Sequence, residues 1–221
     1  MNSKFILRTL AAALFSISLT VQAAMVEYSF ERVTNNNVED LSSQLSIKIW
    51  DWSGANNEFG TLLTSNAIFF TVHNAVGTDS AVSEVYFDDG LLGPSIVHNS
   101  LGGFTDFTGG GANPGNLPGG NTIGFVATQL FSADAQGNPS KGVNTATDIL
   151  GIELGLGGFA DYDAVVAAVN SGDLRFGYHI RAVGVADDSD SYASVVPVPA
   201  AMWLFGSALM GLTGMRKYQN K

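Results

Sequence analysis

The stretch LRFGYHIRAV, residues 174–183, decides the fold class of this chain. Its side chains fall into two sets that alternate along the backbone. The mainly apolar set is Leu174, Phe176, Tyr178, Ile180 and Ala182, and the other set is Arg175, Gly177, His179 and Arg181. Alternation with a period of two is typical of a strand that buries one face of an antiparallel sheet. The stretch therefore predicts an antiparallel, all-β domain.

Similar short runs, separated by Gly, Asn, Asp and Pro, fill most of the surrounding sequence. They predict further strands at 28–33, 45–50, 67–72, 85–87, 95–101, 124–131, 149–154 and 192–196. About nine short strands of this kind favour an antiparallel β-sandwich that is jelly-roll-like in its connections. One short helix is predicted at 162–170, with Asp161 as its N-cap and Gly172 beyond its end. Residues 102–120 contain 8 glycines and are expected to form an irregular loop, either functional or mobile.

The distribution of charge separates the centre of the chain from its two ends. All 20 acidic residues lie between Glu27 and Asp190, a region that contains only 5 of the 10 basic residues. Such an acidic surface repels nucleic acid and anionic lipid, so nucleic-acid binding is excluded. The chain contains no cysteine, which excludes thiol nucleophiles, thiolate zinc sites and iron–sulfur clusters.

Residues 1–24 have the pattern of a secretory signal peptide. Lys4 and Arg8 form a basic start, and an apolar run follows at 10–21. Small residues then stand where a signal peptidase requires them, which predicts cleavage after Ala23 or Ala24. The alternative, a buried N-terminal helix, does not account for this order of charge and small residues. The chain is therefore expected to be exported.

The C-terminal segment AAMWLFGSALMGLTGM, at 200–215, carries no charge and is followed at once by two basic residues. As a helix it would be about 24 Å long, slightly short of a hydrocarbon core about 30 Å thick. The basic residues can snorkel at one interface, and Trp203 suits the other. If the basic residues stay in the cytoplasm, the preceding domain lies outside. The segment is thus predicted to be a single membrane helix whose anchoring residues are Trp203, Gly206, Gly211, Arg216 and Lys217.

Pro197, Val198 and Pro199 precede this segment and predict a stiff, extended tether. Together, VPVPAAMWLFGSALMGL at 196–212 and the closing Arg-Lys pair resemble the PEP-CTERM sorting signal, although Val198 stands where the name-giving motif has Glu. The resemblance implies an exosortase-type membrane protease that cuts near the prolines, in a bacterium that makes exopolysaccharide. It also implies a secreted or cell-surface protein that is transiently anchored in the inner membrane. The alternative is a plain membrane anchor that is not cut.

Three parts of the central region, at 85–90, 114–121 and 188–192, resemble a globular region common among PEP-CTERM proteins of unassigned activity. This resemblance implies a shared sandwich-like fold and no particular reaction. The chain accordingly divides into a signal peptide at 1–24, an extracytoplasmic domain at 25–196 and a sorting signal at 197–221.

An acidic cluster near the end of the central region is a weak candidate for a metal site. Calcium takes six to eight oxygen ligands, often from loops, and Asp187, Asp188 and Asp190 could contribute some of them. No EF-hand spacing is present, because the cluster lacks the glycine and the later glutamate of that loop. The alternative is that these carboxylates are solvated turn residues.

Two further groups of side chains have both a binding and a structural interpretation. Arg175, His179 and Arg181 share one face of the predicted strand, where they could bind a carboxylate or a sugar, or could instead form internal ion pairs or protect a sheet edge. Trp50 and Trp52 flank Asp51 at a strand end, where they could stack on a sugar ring or pack in the ordinary way.

No catalytic pattern stands out in the sequence. A Gly-x-Ser-x-Gly elbow is absent, and GLGGFA at 155–160 resembles a dinucleotide-binding loop without the second βαβ unit that such a domain requires. The leading hypothesis is a non-enzymatic surface or extracellular-matrix protein without a cofactor, whose partners are an exosortase-type protease and exopolysaccharide. The alternatives are a carbohydrate-binding, calcium-dependent lectin-like module and a secreted polysaccharide hydrolase.

Overall fold

The computed structural model describes residues 25–75, 77–133, 139–185 and 188–195. The predicted signal peptide and sorting signal lie outside these residues. The individual predictions that fall there concern Ala23, Ala24, Asp187, Pro197, Val198, Pro199, Trp203, Gly206, Gly211, Arg216 and Lys217. Within the described part of the chain, neither α-helix is long and apolar enough to cross a bilayer.

Ten strands and two short α-helices make up the described part of the chain. The strands are β1 (Met25–Arg32), β2 (Leu45–Trp50), β3 (Ala67–Asn74), β4 (Ala81–Asp88), β5 (Ser95–Gly102), β6 (Phe107–Gly109), β7 (Gln129–Ala133), β8 (Ile149–Gly155), β9 (Arg175–Val183) and β10 (Asp188–Ser194). The helices are α1 (Trp52–Phe59) and α2 (Tyr162–Ser171). The all-β, antiparallel prediction is confirmed. The prediction of a single helix in this region is wrong, because α1 is a second one.

The strands form one sheet in the order β5-β8-β3-β2-β1-β10-β9-β4-β7-β6, and every neighbouring pair is antiparallel. The strand β1 divides this sheet, because residues 25–29 pair with β2 whereas residues 30–32 pair with β10. We call the strands on the β2 side the first half-sheet and those on the β10 side the second half-sheet. The side-chain amide of Asn99 in β5 exchanges hydrogen bonds of 2.9 and 2.8 Å with the backbone of Phe107 in β6. The sheet is therefore nearly closed and barrel-like.

Odd- and even-numbered strands alternate in this order, which gives the sheet two distinct ends. All neighbouring strands are antiparallel, so the odd-numbered strands run in one direction and the even-numbered strands in the other. The first residues of the odd-numbered strands therefore lie at the same end of the sheet as the last residues of the even-numbered strands. We call this the terminal end, since β1 begins there and β10 runs towards it, and we call the opposite one the far end. The backbone N–H of Val195 continues β10 in this direction by donating to the carbonyl of Ser29 at 3.1 Å.

The apolar faces of the two half-sheets enclose one main core. Phe30 of β1 stacks on Tyr178 of β9 with ring centroids 4.0 Å apart, and Phe70, Phe87 and Phe176 meet one another at steep angles. Aromatic pairs in these geometries add to the stabilisation from area burial alone. This packing explains why the apolar side chains of residues 174–181 face the core.

Ala182 is an exception to the predicted alternation in β9. Between the pairs Asp188–Val183 and Asp190–Ile180 two residues of β9 face one residue of β10, so β9 is bulged there, and Ala182 within the bulge takes a positive φ of 53°. Val183 rather than Ala182 consequently occupies the next core position, where it is fully buried. A bulge inserts an extra residue and so reverses the inward-outward order beyond it.

Residues 102–120 are more ordered than the sequence indicates. Strand β6 forms within them, and a short 3-10 helix follows at Gly120–Ile123. Residues 110–127, which we call the cover, continue across the outer face of the second half-sheet. Leu117 and Phe125 of the cover pack against Tyr86 and are buried. The expectation of an irregular loop is therefore wrong for Phe107–Gly109, whereas residues 110–119 are irregular, and Leu117 among them packs on the sheet.

The predicted strand at 124–131 is also corrected. Only Gln129–Ala133 is a strand, whereas residues 124–128 belong to the connection that leaves the cover. Phe125 lies in the small apolar cluster between cover and sheet. An aromatic residue in a short run cannot by itself distinguish a strand from a packed connection.

Candidate functional site

A row of four polar side chains crosses the outer face of the second half-sheet. Ser132 of β7 lies opposite Glu84 of β4, Glu84 lies opposite His179 of β9, and His179 lies opposite Ser191 of β10. The four residues come from four neighbouring strands, and all are buried. We call them the polar row. Polar residues at outward positions are ordinarily exposed, so their burial must be due to what lies over them.

The cover is fastened over the polar row by two arginines and a tyrosine. Arg181 donates to the carbonyl of Asn113 at 3.4 Å, and the hydroxyl of Tyr86 donates to the carbonyl of Pro114 at 2.9 Å. At the other side Arg175 donates to the carbonyl of Ile123 at 2.8 Å. The guanidinium of Arg175 also lies 5.3 Å from the centre of the Phe125 ring, a cation–π contact. Burial beneath the cover, assisted by the nearby Glu84 carboxylate, raises the pKa of Tyr86.

Glu84 is the acidic residue of the polar row, and its carboxylate contacts two basic side chains. Its Oε1 atom accepts a hydrogen bond of 2.9 Å from Arg181, and its Oε2 atom lies 2.8 Å from Nδ1 of His179. Arg175 is paired separately with Asp88. The internal ion pairs predicted as one interpretation of the basic residues of β9 are thus confirmed for Arg175 and Arg181, and His179 lies beside the same carboxylate as Arg181. All three side chains are mostly or largely buried by these contacts.

The row retains unused hydrogen-bonding capacity. The short contact between Glu84 Oε2 and His179 Nδ1 is not aligned as a hydrogen bond, and the buried Ser191 hydroxyl and Arg181 Nε have no partner among the described residues. A serine nucleophile requires a hydrogen bond to its histidine base. Among the described side chains the Ser191 hydroxyl makes no such hydrogen bond, and the Glu84 carboxylate lies 2.8 Å from His179 and 2.9 Å from Arg181.

A second polar feature is an open groove on the first half-sheet. Its cavity has a volume of about 440 Å³, and its lining residues are Glu27, Ser29, Ser42, Ser43, Gln44, Leu45, Ser46 and Ala75. Gln44 is held rigidly, because its amide donates to Asn74, Thr78 and Ser80 at 2.8 to 3.0 Å. Serine hydroxyls both donate and accept hydrogen bonds. The groove therefore presents a preformed set of polar groups to solvent.

His73 and Trp50 are joined by Thr71 next to this groove. The indole N–H of Trp50 donates to the hydroxyl of Thr71 at 3.0 Å, and that hydroxyl lies 2.8 Å from Nε2 of His73. His73 faces Ser46 in the neighbouring strand. Burial, reinforced by the positive charge of Lys48, lowers the pKa of His73 to about 4. The imidazole is therefore neutral at neutral pH and suited to hydrogen bonding.

The two tryptophans proposed for sugar stacking have different surroundings. The ring of Trp50 packs edge-on against Phe59 at 5.3 Å and is tied to Thr71, which are structural contacts. Trp52 is the first residue of α1 and is 42 % exposed. Asp51 between them is the N-cap of α1 and accepts a hydrogen bond of 2.6 Å from the N–H of Gly54. Only Trp52 thus retains a face for a ligand.

Asp190, one of the calcium candidates, is a buried structural anion. Its oxygens accept hydrogen bonds from Arg32, the hydroxyl of Thr34, the N–H of Asn36, and both the N–H and the side chain of Asn37. Burial alone would raise its pKa, but these hydrogen bonds together hold the pKa of Asp190 below its usual value. Asp190 thereby organises the connection from β1 to β2.

Asp188, a second calcium candidate, does not join Asp190 in a metal-binding group among the described residues. Asp188 is exposed on β10, and Asp187 lies outside the described residues. Across the described ranges, no three His, Asp or Glu side chains come together as a metal-binding group. The calcium site stays a prediction that concerns Asp187 and Asp188.

The sequence did not single out three members of the polar row. Glu84, Ser132 and Ser191 carry no motif, and their meeting depends on strand register rather than on spacing along the chain. The one available signal was Glu84, a charged residue in the middle of β4, most of whose other side chains are apolar or aromatic. The chain matches no family model, no curated protein and no solved structure.

Proposed function

We propose that the chain is an exported surface or extracellular-matrix protein that is sorted by an exosortase-type signal and acts without catalysis. In this proposal residues 1–24 are removed on export, and residues 197–221 anchor the protein in the inner membrane until a membrane protease cuts near Pro199. The central domain is then secreted or displayed among exopolysaccharide. The acidic composition of that domain supports partners that are neutral or cationic.

The observation that carries the proposal is the adjacency of the first and last strands. β1 and β10 are paired, and Val195 runs on beside Ser29 towards the end at which Met25 begins the sheet. A leader and an anchor attached to these strands would lie on the same side of the domain, so neither would have to pass around it. The jelly-roll-like sandwich belongs to the same proposal, and it is supported by connections that cross repeatedly between the two half-sheets.

Mass spectrometry of the protein isolated from its host tests this proposal. We expect a mature chain that begins at Ala24 or Met25 and finishes near Pro199. In a host that expresses the variant with Pro197→Ala and Pro199→Ala, we expect the uncut chain to accumulate in the membrane fraction. A wild-type chain that retains Lys221 in the extracellular fraction would contradict the processing step.

A second candidate function, saccharide binding, is favoured by the serine-lined groove. Its hydroxyl, amide and carboxylate groups are the kinds of side chains that bind sugar hydroxyls, and the groove is already formed. We therefore propose a neutral glycan as the ligand in this case. A glycan array probed with and without a chelator identifies binding and shows whether it depends on calcium.

Variants in the groove make the array result specific. Ser29→Ala combined with Ser46→Ala should weaken a groove-bound glycan at least several-fold. Ser100→Ala, at an exposed position of β5, is the matched control and should leave binding unchanged. Binding that survives the double variant would exclude the groove as the site. Release of reducing ends from the host polymer would instead favour the hydrolase alternative.

A further inference from the structure

Large apolar side chains are unevenly exposed at the two ends of the sheet. Of the ten that are exposed in the described residues, seven lie at the terminal end. These seven are Met25, Trp52, Leu62, Leu91, Ile96, Ile123 and Val126. The three at the far end are Val38, Phe104 and Val185. Isolated exposed apolar residues are ordinary, whereas large exposed apolar patches mark interaction surfaces, so this uneven distribution makes the terminal end the candidate surface.

The loops that carry this surface are tied to one another. The hydroxyl of Thr128 accepts hydrogen bonds of 3.2 Å from the N–H groups of Asp89 and Gly90, which links the loop of Leu91 to the segment of Val126. The carbonyl of Leu91 in turn accepts a hydrogen bond of 2.9 Å from Gly158 in the connection to α2. Leu91 is 53 % exposed and Val126 is 63 % exposed in this braced arrangement. Hydrogen bonds between the loops thus hold these exposed apolar side chains in place.

The short length of chain between Val195 and the predicted membrane segment limits the distance between this surface and the membrane. The uncharged segment begins at Ala200, five residues after Val195. Five residues span at most roughly 18 Å when fully extended. A membrane that holds residues 200–215 must therefore lie close to the terminal end, because β10 runs towards that end.

We infer that the terminal end is a lipid-facing surface, which rests on a zwitterionic bilayer while the C-terminal anchor is in place. The inference rests on the anchor in the proposed function, and it adds a membrane contact made by the folded domain itself. The zwitterionic headgroup is inferred from acidic side chains at the same end, which include Asp89, Asp161 and Asp163. Their charge would be repelled by anionic headgroups, whereas zwitterionic headgroups carry no net charge.

The absence of cysteine allows a direct test with single spin labels. Leu91→Cys and Val126→Cys report on the terminal end, and Val38→Cys and Val185→Cys are matched controls, exposed at the far end. Each full-length variant is labelled with a nitroxide and reconstituted in phosphatidylcholine vesicles. Power-saturation EPR then compares collision of the label with oxygen, which concentrates in lipid, and with a water-soluble nickel chelate.

The inference predicts an oxygen-to-nickel accessibility ratio at 91 and 126 that is at least threefold higher than at 38 and 185. Equal ratios in protein that floats with the vesicles would overturn this inference and leave the anchor intact. Protein that does not float with the vesicles would overturn the anchor and the inference with it. An equal or larger ratio at 91 and 126 in phosphatidylglycerol vesicles would overturn the assignment of the lipid.

Discussion

Nδ1 of His179 lies 2.8 Å from Oε2 of Glu84, and both side chains are buried on what would otherwise be the outer face of the sheet. The register of β4 against β9 brings the two side chains together, and the cover lies over this half-sheet. Arg181 completes the group by bonding to Glu84 and to the cover at once. Arg181 of β9 therefore links the cover to Glu84 of β4, so the position of the cover depends on the pairing of these two strands.

Removing the negative charge of Glu84 should destabilise the domain strongly. Glu84→Gln leaves His179 and Arg181 buried or half-buried without their anion, and loss of one partner of a buried ion pair costs about 3 kcal/mol. We expect urea denaturation to show this decrease in the free energy of unfolding. Glu153→Gln is the matched control, because the pair of Glu153 with His98 is more exposed and should be worth less than about 1 kcal/mol. Equal effects of the two variants would contradict the role of Glu84.

Asp190 should make stability depend on acid pH. The hydrogen bonds that hold the pKa of Asp190 below its ordinary value of 3.8 stabilise the folded state at higher pH. This contribution is fully present above pH of about 4 and is lost as the pH falls through the lower pKa of the folded state. Asp190→Asn should remove that part of the acid dependence and lower stability at pH 7 by about 2 kcal/mol. Unfolding curves at a series of pH values from neutral to strongly acidic check both effects.

His73 should add a separate dependence at a higher pH. Its pKa falls from 6.5 to about 4 on folding, so between these values the unfolded chain binds a proton that the folded chain does not. Stability must therefore decrease as the pH is lowered from 6.5 towards 4, by at most about 3 kcal/mol. His73→Gln should flatten this interval in the same denaturation series. His98→Gln leaves His73 in place and should retain the slope, and a slope that persists without His73 would assign it to other groups.

Gly177 should be required for close contact between cover and sheet. A Cβ atom at this position would lie 2.9 Å from Leu117 and 3.1 Å from Phe125. Gly177→Ala should therefore displace the cover, lower the free energy of unfolding by about 1 to 3 kcal/mol and speed proteolysis within 110–127. Gly115→Ala is the control, since nothing lies within 4 Å of its Cβ position. Limited proteolysis with mass mapping distinguishes a displaced cover from general unfolding.

Helix α1 shows where local sequence rules were insufficient. Its sequence WSGANNEF contains glycine and two asparagines, which are weak helix formers. The helix nevertheless forms, because Asp51 caps its start, Gly60 closes its end, and Ala55 packs towards Phe69. Tertiary packing often supplies the stability that an isolated helix of this length lacks.

The amino-acid sequence by itself determined the antiparallel β class and the acidic character of the domain, because alternation and charge are properties of near neighbours along the chain. It also contains the two terminal patterns from which export and sorting are predicted. Only the tertiary structure decided that Glu84 meets His179, that the glycine-rich segment covers them, and that seven exposed apolar side chains share one end. These relations depend on strand register and on the order of strands in the sheet. Both are set by packing between residues remote in sequence, which no local pattern encodes.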